Sequence, residues 1–184
     1  MLTPGINLTA AIKSIYPDAV FMTDFWVSDI GDGNGSFISE WGYSQPQPTI
    51  DQLNAAWAVV QLSAAKSIKT TSLQGSYSGA VSSPVAFTNA AGVASTYPSG
   101  STIGLNGATA VANLQAMISA GASAWKLGTW TDENNVNQVF TYADVQGLAE
   151  AMAAQGTAAY KNLAVKIAEV AAATTVNAVN AITW

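Results

Sequence analysis

The period of apolar and polar positions changes several times along the chain, and each change marks an element. Ile6 to Tyr16 places Ile12 and Ile15 on one side of a short helix that stops at Pro17. From Val20 to Ile30 the period drops to two. Phe21, Phe25 and Val27 then share one face, with Asp24, Trp26 and Ser28 on the other. Gly31-Asp32-Gly33-Asn34-Gly35 follows, and its Asp-Gly and Asn-Gly pairs supply the positive φ angles of a tight turn. Ser36 to Tyr43 resumes alternation with Phe37, Trp41 and Tyr43 aligned, so the segment is expected to form a twisted β-hairpin.

Pro46-Gln47-Pro48 reads as a boundary between a module at 1–46 and a domain at 49–184. Thr49 and Gln52 have the spacing of a capping box, and Leu53, Trp57, Val60, Ala64 and Ile68 trace a helical stripe to about Lys69. The Ser/Gly/Thr-rich stretch from Thr70 to Ser83 is expected to leave the helix. Two strands, 84–88 and 93–97, flank Asn89-Ala90-Ala91-Gly92, and a helix over about 107–120 carries Val111, Leu114 and Ile118. Trp125–Thr131 and Val136–Phe140 form a further hairpin around Asp132-Glu133-Asn134-Asn135. Thr141 and Asp144 repeat the capping spacing and open a last long helix, with Val145, Leu148, Met152, Ala159, Leu163, Ile167 and Val170 in line. Twelve alanines lie between 142 and 173, and a continuous helix there would run on the order of 45 Å. Gly156 is a point where it could bend, and Thr174-Thr175 starts a short terminal helix. The fold class is α+β: a small helix-plus-hairpin module, then helices bracketing short hairpins.

Composition narrows the function. Only 9% of the 184 residues are charged, and there is no Arg, His or Cys. Ordinary soluble domains carry about 25% charged residues. A surface covered by Ser, Thr, Asn, Gln and Gly suits close packing against subunits, or uncharged ligands such as sugars. Residues 1–51 hold six acids and one base, Lys13, while the remainder holds five of each. Without a basic stripe, nucleic acid is excluded as a partner. No run reaches the roughly 18 apolar residues of a spanning helix, so no membrane insertion is expected. The start, MLTPGINLTAAIKSIYPDA, predicts no secretory signal.

The missing His and Cys remove the usual nucleophile triads and zinc sites, and no cofactor or metal is expected. Ser63-Ala64-Ala65-Lys66 lies mid-helix and reads as solvated surface. Asp29, Asp32 and Glu40 form the acidic cluster that glycoside hydrolysis would need, but aspartates at a hairpin end bond the local backbone, and turn formation is the preferred reading. A calcium loop fails on spacing, because Phe37 and Tyr43 fall where Gly and a bidentate Glu belong. The Gly-rich turn is acidic and lies between strands, so it is no phosphate loop. Trp26, Trp41, Trp57, Trp125 and Trp130 are the candidate contacts, able to stack on sugars, anchor an interface or fill a core. Leu163 and Val170 join them on the last helix, whose alanines bury too little area to pack on a thin core alone.

Tyr16-Pro17-Asp18-Ala19, Asp24-Phe25, Asp29 with Gly31-Asp32-Gly33, Ile38, Trp41, Pro46-Gln47-Pro48-Thr49, Leu53 and Trp57 occur in an order that resembles a small family of phage tail-region proteins of PBSX-type prophages. The family is richer in charge after the Pro-x-Pro step, where this chain is Ala-rich. Residues 60–184, through Ser83-Pro84-Val85, Ala91-Gly92-Val93, Asn113-Leu114, Trp125 and Trp130, Phe140-Thr141 with Asp144, and Ala181-Ile182-Thr183-Trp184, resemble a domain of unknown function common in phage tail-fibre and tail-fibre-assembly genes. Neither family carries an assigned catalytic residue. The resemblance implies a non-enzymatic tail-fibre assembly chaperone or fibre-tip cap that binds the distal end of a trimeric tail fibre. It would sit on the virion tail or, during assembly, in the host cytoplasm, as a homo-oligomer with a trimer favoured. A host-glycan-binding adhesin and, remotely, a small glycosidase are the alternatives.

Overall fold

The computed structural model describes residues 1–31, 35–99, 110–126 and 128–184, and shows an α+β chain of two compact units. The first comprises Met1–Lys69 with Val170–Ile182, the second Thr70–Glu169 with Thr183–Trp184.

In the first unit, helix α1 (Leu8–Ile15) starts where the Asn7 side chain accepts the Ala10 amide at 2.9 Å. Strands β1 (Phe25–Ser28) and β2 (Phe37–Trp41) pair antiparallel. Helix α2 (Ile50–Ser82) begins with the expected box: the Thr49 amide donates to Gln52 Oε1 and the Gln52 amide to Thr49 Oγ1. The core joins Leu8, Ala11, Ile12, Ala19 and Phe25 to Leu53 and Ala56 of α2. Hence 1–46 shares its interior with the helix that follows Pro48. The linker is held as well, since Tyr16 Oη donates to the Pro46 carbonyl and Trp41 Nε1 to that of Gln45. A short α5 (Val176–Ala181), capped by Thr175, buries Val179.

The expected alignment of Phe37 with Trp41 does not hold. Trp26 pairs with Glu40 but Val27 with Ile38, so Ser39 has no register partner and a bulge is inserted. One extra residue reverses the phase of a strand. Ile38 and Trp41, three apart, therefore both pack on the core, while Phe37 is 41% exposed. The turn at 32–34 lies outside the described residues.

The Ser/Gly/Thr-rich stretch does not leave the helix, because α2 continues to Ser82. Serine hydroxyls in that tract turn back onto the preceding turn: Ser76 donates to the Ser72 carbonyl and Ser78 to that of Gln74. Leu73 is buried, and Gln155 Nε2 donates to the Ala80 and Ser83 carbonyls at the helix end. Tertiary partners override weak propensity here. The expected stripe also drifts, leaving Ala64 and Ile68 exposed.

In the second unit β3 (Val85–Thr88) pairs with β4 (Ala94–Tyr97), and β5 (Thr129–Thr131) with β6 (Asn137–Val139). Asn89 ties the two hairpins: its Oδ1 accepts the Val93 amide and its Nδ2 donates to the Val139 carbonyl. Helix α3 spans Ala110–Ala120, and the expected start at 107–109 lies outside the described residues. The strand expected from Trp125 begins only at Thr129, after a single 3-10 turn at Ala122–Ala124. Helix α4 (Tyr142–Ala172) is about 46 Å long at 1.5 Å per residue. Val145, Leu148 and Met152 meet Val85, Tyr97, Leu114 and Phe140 in the core, where the Tyr97 and Phe140 rings lie 5.2 Å apart.

Candidate functional site

The first unit's hairpin carries large apolar side chains on the face turned away from its core. Its inner face (Phe25, Val27, Ile38 and Trp41) covers the core. A half-buried antiparallel pair ordinarily turns polar residues outward. Here the outer face carries Trp26 opposite Glu40 and Ser28 opposite Phe37, with Ile30 beyond the strand end at 71% exposure. The Ser28 and Ser39 hydroxyls bond across it at 2.9 Å. At the entry to β1, Met22 is 66% exposed with φ of 65°, a conformation rarely adopted by a bulky side chain. Phe37 was not legible as a surface residue, since the period-two reading aligns it with Trp41 unless the bulge is known, whereas Met22 and Ile30 share the phase of Asp24, Trp26 and Ser28.

Within each unit, most of the sequence-derived candidates pack on the core and not on a shared outer surface. Trp41 packs on the first core beside Tyr16, Phe25 and Tyr43. Trp57 packs on the same core, with a buried Nε1 that has no hydrogen-bond partner. Trp125 and Trp130 pack on the second core, 6.2 Å apart, and Trp125 Nε1 donates to the Phe140 carbonyl. Trp26 alone among the five lies on an outer face. On α4, Leu163 is half-buried and Val170, 3% exposed, faces the chain's own interior.

In the acidic cluster, Asp29 Oδ1 accepts the Gly31 amide at 2.8 Å, which is the turn-forming role. Asp32 lies outside the described residues, and Glu40 stands exposed on the outer face.

A second polar group occurs in the other unit, and its bonds are internal. Asp132 accepts from Gln138, Ser95 and the Val136 and Asn134 amides. The Gln138 bond, then the Val136 amide, hold its carboxyl below the usual range against the opposing effect of burial. Burial raises the Asp144 carboxyl, but bonds from the Thr141 amide and hydroxyl and the Ala90 amide outweigh it, and the net shift is downward. Burial, then the charges of Asp132 and Asp144, push the Tyr97 phenol up. These acceptors are occupied by local donors, so the group organises the hairpins.

Residues 49–183 match the family model described as Domain of unknown function (DUF4376). The chain belongs to that family. Residues 8–65 match the model of the XkdW protein family. Over 60 residues the chain is 38% identical to the uncharacterized protein YqcD of Bacillus subtilis (strain 168), covering 33% of this chain and 54% of that protein. Over 51 residues it is 41% identical to the phage-like element PBSX protein XkdW of the same organism, covering 28% and 45%. The chain thus spans about half the length of the curated relatives it matches. No solved structure matches it. The XkdW match covers α1, the first hairpin and the start of α2, which are the elements that build the first core and its outward face.

Proposed function

We propose that this chain is a phage tail-region protein that works by protein–protein contact, as an assembly chaperone or tip cap of a tail fibre, without catalysis. The observation that carries the reading is the 8–65 match to a family whose relative is a protein of a phage-like element. That match coincides with the elements behind the outward apolar hairpin face. The turn-forming bond of Asp29 supports the non-catalytic reading of the acidic cluster. The glycan reading is weakened, because four of the five tryptophans offered as sugar platforms pack on the chain's own cores.

The test is co-expression of the full chain with the tail-fibre protein of the same phage, followed by mass spectrometry of purified particles. Co-purification with the fibre is the expected result, and retention on the virion would distinguish a cap from a chaperone. A chain that ignores the fibre at micromolar concentration and is missing from both particles and assembly intermediates would end the proposal.

A further inference from the structure

We propose that the outer face of the β1–β2 hairpin, built from Trp26, Phe37 and Glu40, docks a protein segment in which an arginine or lysine is flanked by apolar side chains. The inference deepens the protein-contact reading above and rests on it. Three observations lead to it.

The first is the face itself. Cross-strand pairing fixes Trp26 beside Glu40 and Phe37 beside Ser28 on the side away from the core, and Phe37 is 41% exposed. Burial of such aromatics drives association, and buried aromatic anchors dominate interface energies.

The second is charge. No lysine or arginine occurs between Lys13 and Lys66, while Asp18, Asp24, Asp29, Asp32, Glu40 and Asp51 fall in that interval. Among the described residues the salt bridge is Lys166 with Glu169, so Glu40 has no cation of its own. A purely apolar partner laid on Trp26 and Phe37 would strand the Glu40 carboxylate away from water, which is costly. A partner cation removes that cost. Directly opposed residues of an antiparallel pair have Cβ atoms about 4.5–5.5 Å apart. One guanidinium can therefore lie over the Trp26 ring and reach the Glu40 carboxylate together.

The third concerns the occupant. A second copy of this chain laid on the same face brings no cation to Glu40, because its hairpin lies in the interval 14–65, which holds neither lysine nor arginine. The complementary surface belongs to a different protein with a basic and apolar segment.

The test uses the full chain and the tail-fibre protein of the same phage, with affinity measured by biolayer interferometry. Phe37→Ser and Glu40→Gln alter exposed positions, and unchanged melting curves will show that both variants fold. Each is expected to weaken fibre binding about tenfold, and higher salt should weaken the wild type more than Glu40→Gln. Val139→Ser, at an exposed apolar position of the other unit, should bind like wild type. Glu40→Lys should lose binding and regain it when the fibre's contacting basic residue is changed to Glu. Fibre binding that is unaffected by both hairpin variants would overturn this inference and leave the proposed function standing. Failure of the wild type itself to bind would end both. Dimerisation of this chain that Phe37→Ser abolishes, or glycan-array binding that it abolishes, would replace the partner proposed here.

Discussion

Asp144 offers the sharpest quantitative test of how the second unit is held together. It sits at the third position of α4, where its Oδ2 accepts the Thr141 amide and hydroxyl, both at 2.7 Å. Its Oδ1 accepts the Ala90 amide at 2.8 Å, tying the β3–β4 turn to the start of the helix. Asp144→Ala removes all three bonds. Loss of a capping interaction costs about 1 kcal/mol. A bond to an ionised acceptor contributes about 1.5–3 kcal/mol, and Ala90 takes the low end because it is exposed and its amide can turn to water. Loss of negative charge at a helix N-terminus adds about 0.5 kcal/mol. The three together come to about 3 kcal/mol. For a chain of this size that is a fall in Tm of roughly 6–12 °C.

The pH dependence follows from the lowered carboxyl. Its stabilisation is present above the unfolded value of about 3.9 and is lost as pH falls through the lower folded value. Wild type and variant should thus differ fully at pH 7 and converge in strong acid. Circular dichroism melts across that range, with hydrogen exchange at the Ala90 amide, would measure both. A difference under about 1 kcal/mol at neutral pH, or one that persists undiminished in acid, would refute the reasoning.

Phe25→Ala should destabilise the first unit by about 3–5 kcal/mol in denaturant titrations, because the ring is fully buried against Trp41 and Phe21. Ser76→Ala with Ser78→Ala should stabilise α2 by a few tenths of a kcal/mol each, read as a higher melting midpoint. Limited proteolysis should cut slowly at 43–47, since the Pro46 and Gln45 carbonyls are held by Tyr16 and Trp41, and Trp41→Phe should speed it. Val170→Glu should lower stability by several kcal/mol, so light scattering on Leu163→Glu, at a half-buried position, is the cleaner test of self-association through α4.

Local signals with a single physical cause were legible in the sequence. Both capping boxes form the bonds their spacing implies, and the three hairpins lie between the turn residues that announced them. What escaped was whatever depends on a distant partner. The serine tract of α2 has poor helix propensity, and distant partners hold it wound: Leu73 is buried, and Gln155 and Ser99 donate to carbonyls at the helix end. The bulge at Ser39 leaves no mark in a period-two pattern, so Phe37 was aligned with Trp41 when it is Ile38 that shares the core face with Trp41. Tryptophan identity does not reveal burial either. The alternation set Trp26 apart from Phe25 and Val27, and it does face away from the core, whereas nothing in residue type marked Trp57, Trp125 and Trp130 as core-packed.

Two lysines of α2 have a consequence for how this molecule can be studied. Lys66 Nζ donates to the Ala171 carbonyl at 2.7 Å, and Lys69 Nζ to the Asn180 and Ile182 carbonyls, so each amine closes the end of a helix. Amine-directed cross-linkers will therefore react mainly at the exposed Lys13, Lys126 and Lys161. Trypsin, which cuts only after Lys or Arg, will release everything from Ser14 to Lys66 as one long peptide. The aromatic hairpin falls inside that blind interval. Carboxylate-reactive cross-linkers aimed at Asp29 and Glu40, with cleavage by chymotrypsin at its aromatic rings, are the chemistry that would make its contacts visible on an assembled particle.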